Sequence, residues 1–254
     1  MRAVWVASFC NLRYNGFIKR DCPRKEHIMK TIGILCAMDS EFALIREALS
    51  GGHTESVGRQ TFYLAQRGEK QIVAAVCGVG KVNAAACAQM MISCFHASCL
   101  INSGVAGALS PELHILDLVI AQELVCHDLE ERLLQNYFPH CSRFPADETI
   151  SALAVSICQE QGLSCHRGLV VSGDQFVTDT AIKNDIVSRT HGDAIEMEGA
   201  AVGQVCYLNE IPFTVIRCIS DGADDTGEMD YDTFVDKAAH RCAGLTLALI
   251  DRIG

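Results

Sequence analysis

Positive charge is scarce in this chain: 21 Lys and Arg stand against 31 Asp and Glu, a formal net charge of -10 at pH 7. A nucleic-acid binder usually presents a basic face to phosphate, so that class of partner is disfavoured. Long apolar runs are missing too. The apolar piece Ala3 to Cys10 is near the minimum for the apolar part of a signal peptide and far too short to cross a bilayer, and no clear small-residue cleavage site follows it, so no membrane partner is expected. No C-x-x-C pair occurs among the 14 cysteines, and no second histidine stands at ligand spacing from His127-Asp128, so a metal site is not expected. The sequence has no G-x-S-x-G elbow and no cysteine in a nucleophile signature, which disfavours covalent catalysis. No internal repeat, low-complexity tract or linker is visible after residue 30.

What remains is a chain of 254 residues, 49% apolar, long enough to bury a substantial core. It fits one large α/β domain or two small ones, and a small-molecule enzyme is the natural prior. Cys36, Cys77, Cys87, Cys206 and Cys218 lie inside apolar runs, where cysteine behaves as a small hydrophobe, so a reducing cytoplasm is expected. The first thirty residues differ: seven Lys or Arg against Asp21 and Glu26 give +5 and leave -15 for the rest. Residues 1 to 28 are expected to be a weakly ordered basic extension, with Met29 as an alternative start and the catalytic domain over residues 29 to 254.

From there the pattern alternates. Strands are predicted at Ile32 to Ala37, Thr61 to Gln66, Gln71 to Cys77, Leu116 to Val125, His166 to Val171 and Phe213 to Ile219. Helices are predicted at Asp39 to Leu49, Val82 to Ser93, Thr149 to Gln161, Thr180 to Arg189, Glu198 to Asn209 and Tyr231 to Ile250. Strand-like Cys99 to Asn102 is read as entering a glycine-bearing loop, Ser103 to Gly107. Alternation of this kind implies a largely parallel sheet covered by helices, with the carboxyl ends of its strands facing one crevice.

Phosphate motifs fail on inspection. Gly78-Val79-Gly80 follows a strand and opens a helix, yet position 83 is Asn, so G-x-G-x-x-G is incomplete; Gly80-Lys81 is followed by Val82, so the P-loop fails as well. A tight turn whose backbone lines a ligand is the remaining reading. His127-Asp128 is read as a pair that orients a loop. The densest chemistry is Glu196-Met197-Glu198, where an apolar strand runs into a helix, followed by Arg217-Cys218-Ile219-Ser220-Asp221, where a carboxylate closes the next apolar strand. Carboxylates at neighbouring strand ends can converge on one small molecule.

Several segments, in one order, resemble the nucleoside phosphorylase and nucleosidase superfamily over residues 31 to 250, and most closely its bacterial 5'-methylthioadenosine/S-adenosylhomocysteine nucleosidases. They are Gly33-Ile34-Leu35-Cys36-Ala37-Met38-Asp39-Ser40-Glu41, Gly78-Val79-Gly80-Lys81-Val82-Asn83-Ala84-Ala85, Asn102-Ser103-Gly104-Val105-Ala106-Gly107, Val171-Ser172-Gly173-Asp174-Gln175-Phe176, Glu196-Met197-Glu198 and Ile219-Ser220-Asp221. The resemblance implies a single three-layer α/β domain with a mixed, largely parallel central sheet flanked by helices. It also implies a cytoplasmic homodimer in methionine salvage that acts on an adenine nucleoside without metal or organic cofactor.

By this resemblance the reaction is cleavage between ribose C1' and adenine N9. Asp221 is the general acid toward purine N7, and Glu41 the base that activates water. Glu198 binds the ribose hydroxyls, with Met197 and Met38 against the sugar. Phe176 stacks on the purine, backbone atoms of Val177 read its amino edge, and Tyr231 stands near the sugar's 5' end. Val79, Val105, Ala106, Gly107, Ser220 and Ala223 complete the substrate-binding set. An aspartate begins at ~3.9, so holding a proton near neutrality takes roughly 4 kcal/mol of environmental bias. Burial and a hydrogen bond from Ser220 are its expected sources.

The sequence departs from the family in three places. Val105 replaces a frequent serine, Tyr231 replaces a phenylalanine, and Leu129 to Leu134, which would complete a partner's pocket, has Glu131 where a small apolar residue and Leu134 where an aromatic is expected. These changes imply a 5' group more polar than methylthio, or a shifted loop, and keep 5'-deoxyadenosine and futalosine-type substrates open. The hexameric phosphorylases hold phosphate with Arg-x-Gly-Ser, against Asn102-Ser103-Gly104-Val105 here, so phosphorolysis ranks lower. A noncatalytic nucleoside sensor ranks last, because binding alone needs neither an acid nor a base.

Overall fold

The computed structural model describes residues 31–254; the expectations for residues 1 to 28 lie outside the described residues. The elements are β1 (Thr31–Cys36), α1 (Asp39–Ala48), β2 (His53–Val57), β3 (Gln60–Arg67), β4 (Lys70–Val76), α2 (Lys81–Phe95), β5 (Cys99–Ala108), β6 (Leu118–Cys126), α3 (Glu131–Asn136), β7 (Arg143–Pro145), α4 (Glu148–Gln161), β8 (Cys165–Ser172), α5 (Thr180–Thr190), β9 (Ala194–Glu196), α6 (Gly199–Asn209), β10 (Phe213–Asp221) and α7 (Gly227–Arg252). Every strand and helix expected from periodicity is present to within a few residues. β2 was not expected, because its HTESV sequence is polar and exposed up to the half-buried Val57 and makes no apolar alternation.

The sheet runs β10-β6-β8-β9-β5-β1-β4-β3-β2, and β10 also pairs with β5. The expected mixed sheet flanked by helices is present, and it has a closure that the sequence did not indicate: β5, β10, β6, β8 and β9 close into a barrel, and β1, β4, β3 and β2 extend from it. Closure depends on the length of β5. Its first half pairs with β1 through Cys99–Asn102, its last residues Gly107 and Ala108 pair with β9, and its other edge carries β10. Ser103 to Gly107 is accordingly strand and not loop, because its backbone has partners along β10 through the whole stretch.

The sheet is mixed. β10, β5, β1 and β4 run one way, while β6, β8 and β9 run the other. The carboxyl ends of the two sets meet beside the second half of β5. Alternate residues of each strand face opposite sides. Leu35, Val73, Ala75 and Leu100 pack with α2 and α6 residues such as Ala84, Met91, Val202 and Cys206. Ile34, Ile72, Ala74 and Ile101 pack with Ile45 of α1, Ile157 of α4 and Leu245 and Leu249 of α7. The cysteines of those apolar runs, Cys36, Cys77, Cys87, Cys206 and Cys218, are buried free thiols, as their surroundings required.

Candidate active site

The meeting point of the two strand sets encloses a cavity of about 260 Å³. β1 delivers Met38 and Glu41 through the first turn of α1. β4 delivers Val79, β5 delivers Val105, Ala106 and Gly107, and the turn after β8 delivers Gln175, Phe176 and Val177. β9 leads to Met197 and Glu198, β10 ends in Ser220 and Asp221, and α7 contributes Tyr231. Every site residue expected from the sequence lines this cavity except Ala223, which stands behind Asp221 and donates its amide to Oδ1 at 2.8 Å.

Glu41 is 2% exposed, which rules out an ordinary solvated first-turn glutamate. It accepts amides from Ala37 (2.7 Å) and Met38 (3.0 Å) on Oε2 and from Val105 (2.9 Å) on Oε1. Burial pushes its pKa up, opposed by Arg217 and these three amides. Glu198 accepts the Gly80 amide at 2.8 Å. Burial first, and the charge of Glu196 second, raise it to about 7. Gly80 can present that amide because both Gly78 (φ +87°) and Gly80 (φ +97°) occupy backbone regions that disfavour side chains.

Asp221 is 2% exposed, and burial raises its pKa. The expected contribution of Ser220 has the opposite sign. Its hydroxyl donates to Asp221 Oδ2 at 2.8 Å and so favours the charged carboxylate, as does the Ala223 amide. Phe176 stands at the mouth with its ring edge-on to Tyr231, centroids 5.3 Å apart. The Tyr231 hydroxyl donates to Met38 Sδ at 3.1 Å, an interaction that a phenylalanine there could not make.

Sequence reasoning gave no role to Arg217, which organises the site. It is 1% exposed and lies in the middle of β10. Its Nη2 donates to Asn102 Oδ1 (2.5 Å) and to Glu196 in a very short contact, and lies 3.6 Å from Glu198 Oε2. Burial disfavours its charge, but Glu196, Glu198 and Glu41 more than offset that. Glu196 also accepts the Ser172 hydroxyl and the Glu198 and Gly199 amides, and it lines the cavity as well. The available signal was an arginine within an otherwise apolar strand, since a buried charge must be paired. Gln175, Ala37 and Ile195 also line the cavity without having been anticipated.

Gly104 fits between two of these groups. A Cβ there would stand 2.2 Å from Arg217 Nη1 and 2.4 Å from Glu41 Oε1. Gly104→Ala is expected to push both apart and lower kcat/KM by about tenfold or more; unchanged kinetics would remove Glu41 and Arg217 from the reaction.

Three buried carboxyls with raised pKa values also carry a stability signature. The native state binds more protons than the unfolded chain, so their contribution is complete below the ordinary carboxylate range and is lost as pH rises toward about 7, the value for Glu198. Urea unfolding of the ligand-free protein should give a free energy that falls across that window, less steeply in Glu198→Gln. The same slope in both proteins would contradict the assignment.

The closed mixed barrel and its carboxylate-lined pocket place the chain in a class of nucleoside-cleaving proteins. It belongs to the Phosphorylase superfamily, whose family model matches residues 31–251. It is 37% identical over 253 residues to the 5'-methylthioadenosine/S-adenosylhomocysteine nucleosidase of Treponema pallidum, covering 88% of this chain and 93% of that protein. It is 35% identical over 230 residues to an aminodeoxyfutalosine nucleosidase of Helicobacter pylori, covering 89% of this chain and all of that one. Among solved structures, the 5'-methylthioadenosine/S-adenosylhomocysteine nucleosidase of Neisseria meningitidis in complex with methylthio-immucillin-A superposes with a TM-score of 0.84 at 33% identity, covering 89% of this chain and 100% of that one.

Proposed function

We propose that this chain hydrolyses the N-glycosidic bond of 5'-methylthioadenosine, S-adenosylhomocysteine or both, releasing adenine and the 5-thioribose product. The observation that carries this reading is one cavity in which Asp221 and Glu41 are both buried carboxyls of raised pKa, with Glu198 between the Gly80 turn and Arg217. Asp221 in its acid form donates a proton to purine N7. The C1'–N9 electron pair then leaves with the base as the sugar becomes oxocarbenium-like. Glu41 takes a proton from water, whose oxygen bonds to C1'. Glu198 accepts from the ribose hydroxyls, Met197 and Met38 pack on the sugar, and Phe176 covers the purine.

Water is favoured over phosphate by electrostatics. Among the described residues no Lys or Arg lines the cavity, and the Arg217 guanidinium behind it is already shared by three carboxylates. A phosphate anion would meet their repulsion without a free cation to hold it. Asn102 and Ser103 are likewise committed, Asn102 to the Leu35 carbonyl and Arg217, and Ser103 to Thr246 and Cys242.

A second substrate reading has its own support. The Tyr231 hydroxyl gives the pocket a polar group, and the aminodeoxyfutalosine nucleosidase relative is nearly as similar as the methylthioadenosine one. A homodimer is also proposed. Its support is the exposed apolar set Leu129, Leu133, Tyr137 and Phe138 around α3, although Glu131 is engaged within its own chain by Arg143 and Ser142. A cytoplasmic setting rests on the many free thiols.

Adenine release from methylthioadenosine, S-adenosylhomocysteine, 5'-deoxyadenosine, aminodeoxyfutalosine and inosine tests the reading. The first two should turn over and inosine should not. Turnover confined to aminodeoxyfutalosine would select the second substrate reading.

A further inference from the structure

Outside the cavity, two of the turns that build it are joined to the turn after β6 by one ammonium group. Lys81 opens α2 directly after Gly80, whose amide holds Glu198. Its own amide donates to Asp174 Oδ1 at 2.8 Å. Its ammonium makes a very short contact with Asp128 and lies 3.6 Å from Asp174 Oδ2. The Asp174 amide closes the ring by donating to Asp128 Oδ2 at 2.9 Å. The β4–α2, β6–α3 and β8–α5 turns are thereby tied to one another.

Neighbouring contacts stiffen the same junction. Asn83 donates to the Val79 carbonyl at 2.7 Å, and Arg189 to the His127 carbonyl at 2.9 Å. The turns are pressed together: a Cβ on Gly80 would stand 3.1 Å from Asp174 Oδ1, and one on Gly173 would stand 2.1 Å from His127 Nε2. Ligand-facing groups follow immediately on each side. Val79 stands two residues before Lys81, while Gln175, Phe176 and Val177 succeed Asp174. The width between the Glu198 side of the pocket and the Phe176 side is therefore set where Lys81 bridges two carboxylates.

We propose that Lys81 is a positioning residue for substrate, acting through Asp128 and Asp174 to fix the distance between the sugar-binding and base-binding turns; this rests on the nucleosidase reading above. Lys81 touches no reacting atom, so its loss loosens the grip on both ends of the substrate without removing the acid or the base. That pattern is a rise in KM with little change in kcat. The cluster is partly open to solvent, with side-chain exposures of 20% for Lys81, 30% for Asp128 and 52% for Asp174, so it is sensitive to ionic strength.

The test compares wild type, Lys81→Met and Lys81→Arg as full-length proteins with methylthioadenosine. Lys81→Met keeps the aliphatic stem and is expected to raise KM about tenfold while kcat changes less than about threefold. Lys81→Arg, which keeps the charge, should recover most of the KM. Raising salt from about 0.05 to about 0.5 M should raise KM in wild type but not in Lys81→Met. An unchanged KM in Lys81→Met, a fall in kcat at constant KM, or an equal salt response in both proteins overturns the proposal. Turnover by wild type decides the nucleosidase reading separately. Should wild type release no adenine, calorimetric affinity for adenosine makes the same comparison: about tenfold weaker binding in Lys81→Met supports the clamp, and equal affinity overturns it.

Discussion

Asp221→Asn should lower adenine release at least a hundredfold while the protein remains folded. The amide keeps the shape of the carboxyl group, can still accept the Ala223 amide on Oδ1, and can exchange hydrogen bonds with Ser220. What it cannot do is transfer a proton to the departing purine, a contribution worth on the order of 10²–10⁴ in rate. The wild-type profile should carry the same signature, with kcat falling at high pH as Asp221 loses its proton. Because Ser220 and Ala223 favour the ionised form, burial, aided by the negative charges of Asp230 and Asp224, has to sustain that proton. Turnover of Asp221→Asn near the wild-type rate would remove Asp221 from the role of acid.

Arg217→Met should destabilise the fold by about 3–5 kcal/mol, because one partner of a buried ion cluster is removed and the others are left uncompensated. Glu196 would retain Ser172 and two backbone amides, but Glu41 and Glu198 would lose the positive charge that opposes their raised pKa values. Glu41 would then hold its proton to higher pH and fail as a base, so activity should fall with stability. The midpoint of urea unfolding measures the first effect, and adenine release by the folded fraction measures the second. A midpoint within experimental error of wild type would mean that the three carboxyls do not depend on Arg217.

These two residues mark what the sequence could and could not convey. Asp221 closes an apolar strand, where a side chain emerges from the sheet into the space beyond it, so its place in the cavity lining was legible from position alone. Glu41 was not legible in that way. A glutamate in a first helical turn is ordinarily held in solvent by the helix dipole, and only the matching motif, followed by the burial seen in the fold, separates it from that case. Arg217 was written in the sequence as a charge among apolar neighbours, yet its partners lie 115 residues away in Asn102 and 21 away in Glu196, a pairing set by strand register.

The barrel closure was hidden for a similar reason. β9 is three residues long, and the segment from Ser103 to Gly107 has the glycine content of a loop. Local pattern marks each as irregular, whereas the pairing of β5 with β10 on one edge and β9 on the other makes both strand. Gly104 and Gly107 are there because Arg217, Glu41 and Asp221 press against that backbone, leaving no room for a Cβ. The extended helices and the buried strands β1, β4, β6, β8 and β10 were legible because their periodicity is decided by burial along their own length.

Hydrolysis requires that water, and not phosphate, takes the sugar. Single-turnover cleavage of methylthioadenosine in ¹⁸O-labelled water, in phosphate-free buffer, tests it most directly. Hydrolysis gives prompt release of adenine with one labelled oxygen at C1 of the thioribose, and no dependence of rate on added phosphate. Cleavage that requires phosphate and yields the sugar 1-phosphate without label would contradict it.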